Sequence, residues 1–161
     1  MRRFIAIALT LMSVGLFVAV PAQAAPVKVE NYGSRKCLVV PDANERDLVR
    51  LWQHDCKTAA GRFWTVDRQP NGTYRIINGA TGKCMAVPGA SMRHGEGVIQ
   101  FRCLDAPDHF WTLHGFAQGF QIRRADNPEL CLAVEGGTDK IGAYIIQWPC
   151  GDWADHFWNF R

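Results

Sequence analysis

The six cysteines of this chain stand at Cys37, Cys56, Cys84, Cys103, Cys131 and Cys150. Within successive pairs the separation is 19 residues, and equivalent cysteines recur every 47. Two further features keep the same step: Phe63-Trp64, Phe110-Trp111 and Phe157-Trp158, and the glutamines Gln53, Gln100 and Gln147. Five columns that hold one period without an insertion define a tandem triplication. Any fold for this chain must accept three copies of one 47-residue unit.

Each unit reads as short strands and turns. Opening strands are expected at Val27–Asn31, Tyr74–Asn78 and Gln121–Ala125. The next strand carries the first cysteine, as in Lys83–Val87, and a polar glycine-rich loop follows, as in Gly136–Gly142. A β-branched strand such as Tyr144–Trp148 leads to the second cysteine, and Phe-Trp opens a fourth strand. In the first copy that strand turns back through Pro70-Asn71-Gly72, and Asn-Gly is a strong hairpin signal. Four strands in each of three copies predict an all-β protein of about twelve strands. Threefold closure removes free sheet edges, which favours a β-trefoil over a three-bladed propeller or a solenoid.

The N-terminus stands outside the repeat. Arg2 and Arg3 precede the apolar run Phe4–Val20, and Pro21-Ala22-Gln23-Ala24 offers a small-residue cleavage pattern. Residues 1–24 therefore read as a secretory signal peptide and residues 25–161 as one mature domain, secreted and not held in a membrane after cleavage. The signal holds two of the eighteen basic residues, which leaves sixteen against fifteen acids. So balanced a charge gives no electrostatic argument for a nucleic-acid partner. An even number of cysteines in an exported chain reads as disulfides. Equivalence of the copies lets each cysteine pair within its own copy or with a neighbouring one. The pairing favoured is Cys37–Cys56, Cys84–Cys103 and Cys131–Cys150, each closing a polar loop at about 3 kcal/mol by the chain-entropy estimate.

The cysteine strands read Cys37-Leu-Val-Val, Cys84-Met-Ala-Val and Cys131-Leu-Ala-Val, the third copy contains Gln147-Trp148-Pro149-Cys150, and every copy ends in a tryptophan. In these features the mature chain resembles the ricin B-chain (R-type) lectin family. The resemblance implies a β-trefoil with one disulfide inside each copy, and it implies carbohydrate binding. It also implies a core role for Trp64, Trp111 and Trp158. The family's Gln-x-Trp has degenerated to Arg62-Phe-Trp64, His109-Phe-Trp111 and His156-Phe-Trp158. The aspartate that the family's sugar-binding copies place two residues after the first cysteine is replaced by Val39, Ala86 and Ala133.

The family's stacking aromatic falls at His54, Phe101 and Trp148. A flat indole covers the C–H face of a sugar at low entropic cost, so Trp148 is the best platform. Asp155 and His156 accompany it, and Asp108 and His109 accompany Phe101. The first copy offers Gly61 and Arg62 instead. The sites are therefore expected in the order third copy, second, first. The same residues also admit plainer roles: Asp108 and Asp155 as turn closers, His109 and His156 as turn anchors, Trp153 as a packed or a contacting loop residue. Gln147 sits one step from Trp148, and whether it meets a ligand or a buried network is left open.

No nucleophile elbow, zinc-protease motif or Cys-x-x-Cys pair appears, so no catalytic residue, metal site or cofactor is expected. The Asn71-Gly-Thr73 sequon is accounted for by the hairpin turn. The expected function is a secreted, non-catalytic carbohydrate-binding domain that takes a glycan or polysaccharide at shallow aromatic sites. The alternative is a trefoil that has lost sugar binding and meets a separate protein partner.

Overall fold

The computed structural model describes residues 24–161, so the expected signal segment lies outside the described residues but for Ala24. The architecture is all-β, with only single turns of 3-10 helix and no α-helix among the described residues. It is a β-trefoil. Opening strands Val29–Asn31, Tyr74–Asn78 and Gly119–Arg124 lead to cysteine strands Cys37–Val39, Cys84–Ala86 and Leu130–Val134. Third strands follow at Trp52–His54, Ile99–Phe101 and Ile145–Pro149, and fourth strands at Trp64–Arg68, Trp111–Phe116 and Trp158–Phe160. A short extra strand, Val49–Arg50, brings the number to thirteen rather than twelve, because the first copy's third strand is interrupted at Leu51. The three disulfides are Cys37–Cys56, Cys84–Cys103 and Cys131–Cys150, each within one copy.

The copies close into a ring through backbone pairing. The fourth strand of each copy forms a hairpin with the opening strand of the next, as in Trp64 opposite Asn78 and Trp111 opposite Arg124. The last strand returns to the first, with Phe160 opposite Val29 and Trp158 opposite Asn31. Among the described residues, the first and last strands each pair on both sides.

Trp64, Trp111 and Trp158 are fully buried, in keeping with a core role. Each indole N–H donates to the carbonyl of the residue after the first cysteine of its own copy: Leu38, Met85 and Leu132, at 2.9–3.0 Å. Pairing the one polar atom of each ring removes the desolvation cost that burying it would carry.

The three buried glutamines join the copies. Gln53 donates through Nε2 to the carbonyls of Thr138 and Lys140 in the third copy's loop. Gln100 donates to Asn44 and Arg46 in the first copy's loop, and Gln147 to Ser91 and Arg93 in the second. Each glutamine thus pins the loop that follows the cysteine strand of the preceding copy, and the set closes cyclically. The amide oxygens of Gln53 and Gln100 accept from Ser34 and Thr81.

In the third copy the expected opening strand is shifted. Trp111 pairs with Arg124, not with Ala125, because the Phe116–Gly119 hairpin is one residue shorter than its counterpart. Arg124 therefore occupies the buried place of Asn31 and Asn78. Its guanidinium bonds the oxygen of Gln147 at 2.8 Å and pairs with Asp126. It supplies the donor that Pro128 cannot offer in the place of Ser34 and Thr81.

Replacing Gln147 by leucine leaves the Arg93 carbonyl without its side-chain donor, and leaves the Ser91 carbonyl and Nη1 of the buried Arg124 guanidinium only the bond they make to each other. Gln147→Leu should lower stability by about 1–3 kcal/mol, read as an earlier thermal or denaturant midpoint. An unshifted midpoint would remove the clamp from the account.

Candidate functional site

Strand alternation settles the orientation of Trp148. Gln147 points inward to its clamp, so Trp148, one step on, points outward. It pairs with Cys131 at the end of the third strand and is 41% exposed. Its indole forms one wall of a cleft of about 440 Å³. Ala133, Ile146, Trp153, Asp155 and His156 line it with Trp148. Trp153 is 59% exposed. Its ring crosses Gly151, where a Cβ would stand 2.0 Å from the ring edge. Glycine is therefore required at 151 for the ring to lie flat.

Part of this cleft comes from the second copy. Gly95, in the loop held by Gln147, lies against Trp148, with its Cβ position 3.4 Å from the indole. A side chain there would enter the cleft beside the platform. The cleft also holds a residue that sequence reasoning missed. Ala133 fills the buried place of the lost aspartate, but Glu135, two residues on, lines the opening. Its backbone N–H bonds Tyr144, and the Gly136-Gly137 turn after it brings the chain close to Asp155. The equivalent positions in the first two copies are Pro41 and Pro88. A carboxylate confined to the third copy was the signal available in the sequence.

His156 and His109 adopt the same arrangement. Nδ1 of His156 accepts the Gly151 N–H at 3.3 Å, and Nδ1 of His109 accepts the Leu104 N–H at 3.4 Å. A backbone donor fixes the tautomer, leaving the proton on Nε2. In each case Nε2 lies 3.7 Å from the neighbouring carboxylate, Asp155 or Asp108. Burial pulls both imidazoles below the usual histidine pKa, and the carboxylate only partly opposes it. Both rings are thus neutral near pH 7. They anchor their turns through one nitrogen and present a donor with the other.

The second copy places Phe101, Asp108 and His109 around a cleft of similar volume, but Leu48, Pro88 and Leu104 make it more apolar. The Phe101 ring meets His109 edge-on at 6.1 Å. In the first copy the equivalent space is smaller, about 280 Å³. There Arg62 bonds both Asp55, at 2.6 Å, and Nδ1 of His54, at 3.0 Å. Burial disfavours the ionised Asp55, but the charges of Arg62 and Lys57 prevail and hold its carboxyl below the usual value. The platform position of that copy is occupied by its own ion-pair cluster. The sequon residue Asn71 is likewise engaged, accepting from the N–H and hydroxyl of Thr73 within the turn.

Among the described residues, no cluster of His, Cys, Asp and Glu is arranged to hold a metal ion, and no helix is long and apolar enough to cross a membrane.

A family model described as ricin-type beta-trefoil lectin domain-like matches residues 17–101 and 64–148. No curated protein sequence matches the chain. Among solved structures, the designed threefold-symmetric protein ThreeFoil is similar at 23% identity and a TM-score of 0.80, covering 84% of this chain and 96% of that one. The ricin B-like lectin of Macrolepiota procera, solved with lactose, is similar at 11% identity and a TM-score of 0.73, covering 88% and 98%. The exo-beta-1,3-galactanase 1,3Gal43A of Clostridium thermocellum is similar at 20% identity and a TM-score of 0.81; the match covers 88% of this chain but only 31% of that enzyme.

The two neutral histidines set a pH dependence. Their pKa values in the folded chain lie below the ~6.5 of an unfolded histidine. As pH falls through about 6.5, the unfolded state takes up protons that the native state refuses, so stability declines. The melting temperature should drop between pH 7.5 and 5, and the double variant His109→Gln/His156→Gln should flatten that slope in part. His114, its pKa lowered by burial and by the Arg123 charge, contributes in the same direction. A wild-type melting temperature constant across this window would contradict the assignment.

Proposed function

Because the chain belongs to the ricin-type β-trefoil lectin domain-like family, we propose that it is a carbohydrate-binding domain that works without catalysis and takes a glycan in the third-copy cleft. The observation that carries this reading is the pairing of an exposed indole, Trp148, with two carboxylates, Glu135 and Asp155, in one open cleft. A sugar presents an apolar C–H face and a rim of hydroxyls. Trp148 suits the first by stacking. Glu135 and Asp155 suit the second as acceptors, and Nε2–H of His156 adds a donor. Glu135 restores the carboxylate that Ala133 removed, reaching the cleft from the following turn. Trp153 adds a second aromatic wall.

The second-copy cleft, with Phe101, Asp108 and His109, is a weaker site of the same kind. The first copy binds no sugar in this reading, since Arg62 and Asp55 fill the space beside His54. Residues 1–24 serve as an export signal, and residues 25–161 form the secreted domain. Three disulfides fit an oxidising destination. Lactose accompanies the Macrolepiota procera lectin and GalNAc the earthworm R-type lectin, which makes galactose-type sugars the first probes to try.

The test is a titration of the mature protein against a glycan panel and insoluble polysaccharides. Trp148→Ala and Glu135→Gln should each weaken binding by about tenfold or more, equivalent to about 1.4 kcal/mol. Binding that survives both changes would move the site elsewhere. Binding to no sugar at all would favour a protein partner instead.

A further inference from the structure

A third cavity shares lining residues with the clefts of both the second and the third copy. It is a trough of about 440 Å³ walled by Arg50, Glu96 and Gly97. It shares Leu48, Pro88 and Ile99 with the second-copy cleft, and Gly95 and Glu135 with the third-copy cleft. Strand geometry makes this continuity regular. Gly97, Ile99 and Phe101 alternate along one run of chain and so face one side. Ile146 and Trp148 do the same on the neighbouring strand, and the two runs meet where Gly97 bridges Ile146. At ~3.3 Å per residue and ~4.8 Å between strands, the path from Phe101 to Trp148 along the sheet is about 25 Å.

The middle of this path is built from three symmetry-related positions, Arg50, Gly97 and Tyr144, one from each copy. Gly97 leaves a notch, and the Arg50 side chain fills it. A Cβ at 97 would lie 2.5 Å from Nε of Arg50. The guanidinium also stacks on the Tyr144 ring at 3.8 Å from its centroid. It is thus held flat at the surface. Glu96 contributes one oxygen to Ser91 at 3.0 Å, and its other oxygen is free to accept.

Resting on the carbohydrate reading above, we propose that these three cavities form one groove for an interior stretch of a linear, uncharged polysaccharide. Its ends are the aromatic platforms Phe101 and Trp148. Its centre alternates a donor, Arg50, with the acceptors Glu96 and Glu135, as a chain of hydroxyl-bearing rings requires. A polyanionic chain would meet the carboxylates of Asp108, Glu96, Glu135 and Asp155, offset by Arg50 in the trough and by Arg102, which lies over the Phe101 ring and is already paired with Asp47. The ligand is therefore a chain held along its length, and not two separate terminal sugars.

Calorimetric titration of the full protein with linear oligosaccharides of increasing length tests this. The probes are β-1,4-linked glucose, xylose, mannose and N-acetylglucosamine series, and β-1,3-linked galactose, from disaccharide to hexasaccharide. For the series that binds, affinity should rise about tenfold or more with length, and one hexasaccharide should saturate one protein. Arg50→Ala, at an exposed position, should reduce the ratio of hexasaccharide to disaccharide affinity about fivefold. Two hexasaccharides per protein, or no gain beyond the disaccharide, would overturn the groove while leaving the third-copy site intact. Binding by no series at any length, with a panel glycan still bound at Trp148, would overturn the groove alone; binding of neither would overturn that site and the groove together.

Discussion

A buried glutamine amide that satisfies two backbone carbonyls of the preceding copy is the contact on which this architecture rests. Gln53, Gln100 and Gln147 each commit both N–H groups to a neighbour's loop. A loop of that length carries more backbone polar groups than it can pair internally, and burial without partners would cost about 1–3 kcal/mol for each one. The clamp removes that cost and fixes the loop. Because each copy clamps its predecessor, and the first clamps the third, no copy completes its own structure. The disulfides close each unit; the shared hydrophobic core, the hairpins between copies and the glutamines fit the units to one another.

The same arrangement explains why the three clefts differ. The platforms of the second and third copies share their cleft with a residue of the loop clamped beside them, Leu48 in the second and Gly95 in the third, while the equivalent Gly142 lies against Trp52 of the first copy. A small residue at 95 opens space next to Trp148, while a leucine at 48 crowds Phe101. The first copy adds an arginine that binds its own platform residue. One backbone plan thus yields one open cleft, one apolar cleft and one that is filled, and the difference lies in a few side chains at equivalent positions.

Much of this was legible in the sequence because a strict period carries spatial information. The 47-residue step located the strands, the core tryptophans and the cysteine pairs, and the resemblance marked Trp148, Asp155 and His156, which the fold brings into one cleft. Three things were hidden. Gln147 could not be assigned a face until the strand register was known, and the register turns it inward. Arg124 was masked because a hairpin shortened by one residue is offset by a turn lengthened by one, so the cysteine columns still align. Glu135 stood in a column otherwise occupied by proline, away from the position where a carboxylate was sought. The trough between the second and third clefts is of another kind. It depends on which loop meets which copy, and a repeat within one chain is silent on that.

The clamp makes one demand that can be measured directly. The side-chain amide protons of Gln53, Gln100 and Gln147, and the indole protons of Trp64, Trp111 and Trp158, can be followed by hydrogen exchange in a single NMR experiment. If the copies are interlocked as described, the protons of all six side chains should exchange only through global unfolding and share one protection free energy. Glutamine amides that exchange freely while the indoles stay protected would show loops resting on the core without being tied to it, and the account of both fold and site would fail.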